Sequence, residues 1–346
     1  MQPQTIGIDL GKTIFHLIGM NQNGGILMKK RLSRSQLVTL LANTPPCLIG
    51  MEASCGAHHL GRELRTFGHD VRLIPAQFVR PFVKSQKNDY VDAEAIAEAV
   101  QRPTMRFVPI KTEDQLDLQA LHRVRDRLVE RRTGVINQLR AFLLERGILV
   151  RAGRNYLQQA LPDLLAAAEE RLSGRIFRLL EQLVNEWALI EKDVERLNAE
   201  IDSICASDPS CQLLMTVPGV GPIVATAMIA AVGNGAAFSK GRDFATWLGL
   251  VPRQHSTGGK AKLLSISKKG NEYLRRLFIH GARSVMARTK RDRHRFGEWI
   301  SRLETRAHHN KVGVALANKL ARIAWAVLHH SVPYIGAGPV YTGASE

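Results

Sequence analysis

The chain has 346 residues, with 48 Lys and Arg against 31 Asp and Glu and a formal net charge of +17. That length allows two or three domains with real cores, and that charge points to a polyanionic partner such as nucleic acid. No apolar run approaches the roughly 18 residues of a bilayer span, and the first residues lack the basic-then-apolar layout of a secretion signal, so a soluble cytoplasmic protein with no membrane partner is expected.

Residues 5–10, 13–20 and 26–32 read as three short strands broken by Gly11-Lys12 and by Asn21, Asn23, Gly24 and Gly25, a meander. Alternation then sets in, with a helix over 35–42, a strand over 47–51, a helix over 58–67, a strand over 71–75 and a helix over 76–86. This order predicts a mixed sheet with helices on its faces. Residues 92–100 (DAEAIAEAV) form a further helix with an acid at its start. Past Pro109 the pattern becomes long charged helix. Leu180, Leu183, Trp187, Ile190, Val194, Leu197 and Ile201 make a coiled-coil-like seam, and Leu121, Val124, Leu128, Val135, Leu139 and Phe142 a second stripe. The two stripes pair with each other or across a dimer. A third region opens on Val217-Pro218-Gly219-Val220-Gly221-Pro222 before an Ala-rich helix over 223–232. It is similar to a helix-hairpin-helix, in which Gly219 and Gly221 would let backbone amides approach a phosphate, or would simply form a tight turn.

Charge is unevenly placed. Residues 240–322 hold 20 Lys and Arg against 5 Asp and Glu, nearly the whole excess of the chain. Arg288, Lys290, Arg291, Arg293 and Arg295 are expected to touch phosphate without reading bases, and Lys268, Lys269, Arg275 and Arg276 are similar candidates. The four cysteines, Cys47, Cys55, Cys205 and Cys211, have no histidines at zinc-ligand spacing and form no disulfide framework.

Acids in apolar strands are the sharper signal. Asp9 ends the first strand and Glu52 follows a later one, positions costly for a carboxylate unless it is paired or binds a cation. Asp89 and Asp92 lie three apart, so at a helix start both face one way. If that helix packs beside the strand of Asp9, four acids converge. In a basic protein the economical occupant is a hard divalent cation with oxygen ligands, Mg²⁺ or Mn²⁺, and phosphoryl transfer on nucleic acid commonly uses two such ions. Taken singly, Asp92 also reads as a helix cap and Asp89 as solvated loop.

Gly7-Ile8-Asp9, Met51-Glu52-Ala53, the run KNDYVDAEAIAEAVQRPTMRFVP, then TVPGVGP, GLVPRQHSTGG and SKKGNEYLRRLF occur in this order. Together they resemble the DEDD transposases of the insertion-sequence 110 family, particularly its 1111-like subgroup, over about residues 5 to 330. The resemblance implies an α/β plus α chain. Its parts would be a RuvC-like ribonuclease-H domain over 1–110, a coiled-coil spacer over 111–208, a mostly helical transposase domain over 209–335 and a tail over 336–346. It implies that Asp9, Glu52, Asp89 and Asp92 are the metal-binding acids and that Ser256 is a serine nucleophile, with Ser265 and Ser267 nearby in the same basic loop. It also implies a structured bridge RNA that pairs with donor and target DNA, and dimers that assemble into tetramers.

Ser256 lies in sequence among Arg253, His255, Lys260 and Lys262, within a Gly-rich segment suited to phosphate. The expected reaction is attack by Ser256 on a DNA phosphate to give a phosphoserine link, with metal on the four acids stabilising the charge. Two alternatives use the same features: an RNA-independent nuclease acting on Holliday junctions, and a nucleic-acid-binding architectural protein in which the acids only cap helices.

Overall fold

The structure, a computed structural model, describes residues 2–84, 88–288 and 296–335, without the side chains of 167–171. It divides into two compact units, Met1–Leu116 and Asp117–Glu346. Lys290, Arg291, Arg293 and Arg295 lie outside the described residues.

In the first unit β1 (Thr5–Leu10), β2 (Ile14–Met20) and β3 (Ile26–Ser33) form the expected antiparallel meander. Ser33 then caps α1 (Arg34–Ala42) in a reciprocal capping box with Gln36. Next come β4 (Leu48–Glu52), α2 (Ala57–Thr66) and β5 (Asp70–Ile74). The sheet order is β3-β2-β1-β4-β5, with β4 parallel to both β1 and β5. Period-two alternation sorts the side chains. Ile6, Ile8, Leu17, Ile49 and Met51 form one core face with Leu37 and Leu41 of α1 and Leu60 and Leu64 of α2.

The helix expected over 76–86 is much shorter. α3 spans only Ala76–Val79 and passes into a 3-10 turn at Arg80–Phe82. Pro81 has no N–H to extend the helical ladder, and the chain turns extended at Val83. α4 (Asp89–Ala99) begins three residues earlier than expected, since the Asn88 side chain accepts the Tyr90 N–H as a cap.

α5 (Glu113–Leu144) leads into the second unit, followed by α6 (Arg154–Arg171) and α7 (Gly174–Ser207). The two apolar stripes meet inside this one chain. Val135, Ile136, Leu139 and Leu143 of α5 share a core with Leu180, Trp187, Ile190 and Val194 of α7, and Leu183 packs against it. Arg132 and Arg154 both pair with Glu191, at 3.1 and 2.8 Å, and Arg125 Nε donates to Asn198 Oδ1 at 2.6 Å, so α5 and α7 run antiparallel.

A second core in this unit gathers α8 (Pro209–Met215), α9 (Pro222–Val232) and α10 (Gly241–Trp247) with α11 (Glu272–Arg288), α12 (Gly297–Glu304) and α13 (His309–His330). Between α10 and α11 stands a hairpin that a mostly helical reading omits: β6 (Pro252–Thr257) and β7 (Lys260–Ile266). Gly258 and Gly259 both adopt positive φ at its tip, as a two-residue hairpin turn requires. No described helix is long and apolar enough to cross a membrane.

Candidate active site

Gly7 and Gly50 are register partners on β1 and β4. A Cβ on Gly7 would collide with the Ala93 carbonyl and with Ala97 of α4, and one on Gly50 would lie 2.8 Å from Val100 Cβ. The two glycines therefore make a flat platform on which α4 lies almost directly against the sheet. Two residues along each strand, on the same face, stand Asp9 and Glu52, adjacent because Ile8 pairs with Met51. Asp89 and Asp92 occupy the first turn of α4, where the helix dipole favours negative charge. The platform thus brings two strand ends and one helix start to one corner.

The field at that corner is strong. The Asp9 carboxyl is pushed up to about 6, mainly by burial, then by Asp92 and Asp89, with a smaller push from Glu52 and an opposing pull from His16. Burial and Asp92 also raise Glu52. His16, which the sequence reading did not select, is the cross-strand partner of Asp9. Its Nδ1 lies 3.5 Å from Asp89 Oδ2, and its ring meets Tyr90 edge-on at 4.8 Å. The sequence carries no direct signal for His16: a two-residue turn at Gly11-Lys12 would set Asp9 against Ile14, whereas the strands close on Leu10 and Phe15 and set Asp9 against His16.

Among the described residues no three His, Cys, Asp or Glu side chains are gathered as a ready metal-ligand set. The four acids share a field without closing around one point, and Asp89 is turned toward His16. In chemistry they fit a divalent cation: the donors are oxygens, and their mutual repulsion is what a hard ion relieves.

Ser256 lies on β6, where every residue is exposed. Its pairing partner is Ala261, whereas His255 pairs with Lys262 and Thr257 with Lys260. Ser256 therefore shares one face of the ribbon with Gln254, Ala261 and Leu263, and the cations near it in sequence occupy the other. Gln254 Nε2 donates to Ser256 Oγ at 2.7 Å, and Arg253 donates to Ser265 Oγ at 3.3 Å.

The base of the hairpin is held firmly. Arg275, expected at a phosphate, is instead 8% exposed and donates to the carbonyls of Leu248 and Lys269 at 3.0 and 3.3 Å. Its charge clamps the two ends of the hairpin, because a buried guanidinium needs acceptors. Arg276 pairs with Asp126 and Glu130, so its charge is largely committed within the unit. Gly219 departs from expectation in a similar way. A Cβ there would lie 2.7 Å from the Gly281 carbonyl of α11, so close packing accounts for this glycine. Gly221 has open space around it and lines a cleft of about 660 Å³ with Arg125, Tyr273, Arg276 and His280. Arg253, Lys260, Lys262, Lys268, Lys269 and Arg288 are exposed and available to an anionic partner.

Two family models match the chain, a DEDD transposase model over residues 6–147 and the model described as Transposase IS116/IS110/IS902 family over residues 211–298. The class is therefore that of the DNA transposases. The transposase for insertion sequence element IS1328 of Yersinia enterocolitica is 46% identical, covering 93% of this chain and 96% of its own length. A probable family 20 transposase of Pseudomonas aeruginosa is 43% identical, over 96% and 99% of the two chains. The transposase for insertion sequence element IS1111A of Coxiella burnetii is 39% identical, over 95% and 90%. The chain belongs to the IS116/IS110/IS902 family of transposases.

Proposed function

We propose that this transposase cuts and rejoins DNA strands to excise and insert a mobile element, with Asp9, Glu52, Asp89 and Asp92 holding Mg²⁺ or Mn²⁺ and Ser256 supplying the attacking oxygen. The observation that carries the proposal is the electrostatic field that Asp92, Asp89 and Glu52 exert on Asp9, which with burial raises its carboxyl to about 6. The strand order, with β2 alone running against the others, supports reading the first domain as a RuvC-like ribonuclease-H fold.

Asp9, Glu52, Asp89 and Asp92 would hold the divalent ion, which when bound would supply positive charge against the charge that builds up on the phosphate. Ser256 Oγ bonds to phosphorus as the strand P–O bond breaks, the serine proton passes to a base, and the leaving oxygen takes up a proton. A DNA hydroxyl from the new partner strand then attacks the phosphoserine, forming the joined strand and returning the serine. Gln254, hydrogen-bonded to Ser256 Oγ, orients that oxygen.

Guidance by a structured bridge RNA, a homodimer assembling into a tetramer, and work in the cytoplasm on donor and target DNA belong to the same proposal and rest on the family resemblance. So does the division at residues 110, 208 and 335. The test combines Mg²⁺, DNA from the flanks of the gene and any RNA that copurifies. Asp9→Asn should abolish strand cleavage, and Ser256→Ala should abolish both cleavage and a protein–DNA adduct that wild type forms. Full cleavage by Ser256→Ala alongside loss in Asp9→Asn would remove the covalent step. Cleavage of four-way junctions with no RNA present would favour the junction-nuclease reading.

A further inference from the structure

We propose that the edge strand β3 is the strip on which the DNA strand being cut lies as it approaches the acids, with Lys29 and Arg31 holding its phosphates. This rests on the reading of the acids as the cleavage site. Asp9 pairs with His16 across β1 and β2, and His16 pairs with Arg31 across β2 and β3. Directly paired residues share a face, so Glu52, Asp9, His16 and Arg31 form one row across the sheet. Lys29 stands two residues along on the same face and lies over the Tyr90 ring of α4 at 4.4 Å. Lys30 points the opposite way, toward the side where Met28 and Leu32 pack on the α1–α2 core.

Three features favour phosphate over other occupants. First, Lys29, Lys30, Arg31 and Arg34 follow one another with no acid between them, and Lys29 and Arg31 are exposed. Among the described residues Arg31 makes no ion pair. Second, charge at an edge often serves only to prevent strand addition, yet the opposite edge of this sheet is treated differently: Arg72 of β5 is paired with Asp70 at 2.6 Å and covers Phe107. Among the described residues the two edge strands thus differ: the cation of β5 is paired with an acid and Arg31 of β3 is not. Third, metal on the carboxylates would meet only the phosphate being cut, so the phosphates on either side of it need cations of the protein on the same face. Two strand spacings separate Arg31 from Asp9, about 10 Å between backbones, or about three nucleotide rises along DNA. The strip therefore contacts the same strand within a few nucleotides of the cut.

The experiment measures binding of the full chain to a duplex from the DNA flanking its gene across a salt series, with cleavage in Mg²⁺ followed in parallel. Lys29→Gln with Arg31→Gln should flatten the log-log salt slope by about two units, while Lys30→Gln leaves it unchanged. Methylphosphonate substitution of phosphates beside the cut should weaken wild-type binding and leave the double variant indifferent. An unchanged slope in the double variant, with wild type still cutting, overturns the strip and leaves the cleavage reading intact. A flattened slope on copurified RNA with none on DNA also overturns it. Absence of cleavage by wild type would instead fall on the cleavage reading itself.

Discussion

Asp9 holds its proton more tightly in the folded chain than in the unfolded one, with a carboxyl moved from 3.8 to about 6. Its contribution to stability is therefore complete below about 3.8 and is lost as pH rises through 6. At neutral pH the ionised group therefore destabilises the metal-free unit. Asp9→Asn is accordingly expected to melt several degrees higher than wild type at neutral pH without divalent metal, the gap closing near pH 4; calorimetry with a chelator checks this. Added Mg²⁺ should raise the wild-type midpoint and leave that of Asp9→Asn nearly unmoved. Arg275 makes a second prediction at this scale. Replacing it with Met leaves the Leu248 and Lys269 carbonyls without their donor, so amide exchange should quicken through residues 249–270 and cleavage should fall with Ser256 intact.

The two glycines under α4 bind an element to its function. Gly7→Ala forces a methyl into the backbone of α4, which should cost about 1–3 kcal/mol or more and should abolish metal-induced stabilisation although all four acids remain. Gly24→Ala, with nothing near the added methyl but a φ of 78°, is the control, at about 1–2 kcal/mol. Thermal melts with and without Mg²⁺ separate the two. The strands β1, β2, β4 and β5 were legible in the sequence as short, mainly apolar runs bounded by Gly, Asn or Pro, and β3 as the run that follows Gly24-Gly25. The hairpin at 252–266 was not, since nearly all of it is exposed and carries no buried alternation, leaving Gly258-Gly259 as its single cue. α4 starts at Asp89 and not at Asp92 because the cap is Asn88, whose side chain accepts the Tyr90 N–H, which the acids in the first turn do not signal. Within the candidate site, Asp9 and Glu52 were conspicuous as charges in apolar strands. His16 became visible only through strand register, and the packing roles of Arg275 and Gly219 only through partners distant in sequence.

At the scale of the whole molecule, Asp9 in the first unit and His122 in the second respond to acid in opposite senses. His122, on α5, is buried at 2% exposure between Tyr273 OH and Thr226 Oγ1, at 3.1 and 3.0 Å. Burial, reinforced by Arg125, lowers it to about 4, so the stability that the neutral ring confers is present above 6.5 and is lost as pH falls through 4. Lowering the pH of metal-free protein from about 7 to 4.5 should therefore weaken the second unit while it strengthens the first. Unfolding followed separately by Trp fluorescence, all four tryptophans lying in the second unit, and by amide exchange in β1 and β4 should show the two midpoints moving in opposite directions. Ile190→Asp should unfold the α5–α7 pair outright, since that side chain is 4% exposed inside the chain's own core. The platform of Gly7 and Gly50 has an evolutionary corollary. A single nucleotide converts any glycine codon to an alanine codon, so one drift event at either position would displace two aspartates together. Decay of the gene's copies is therefore expected to strike these two silent-looking glycines as readily as the acids themselves.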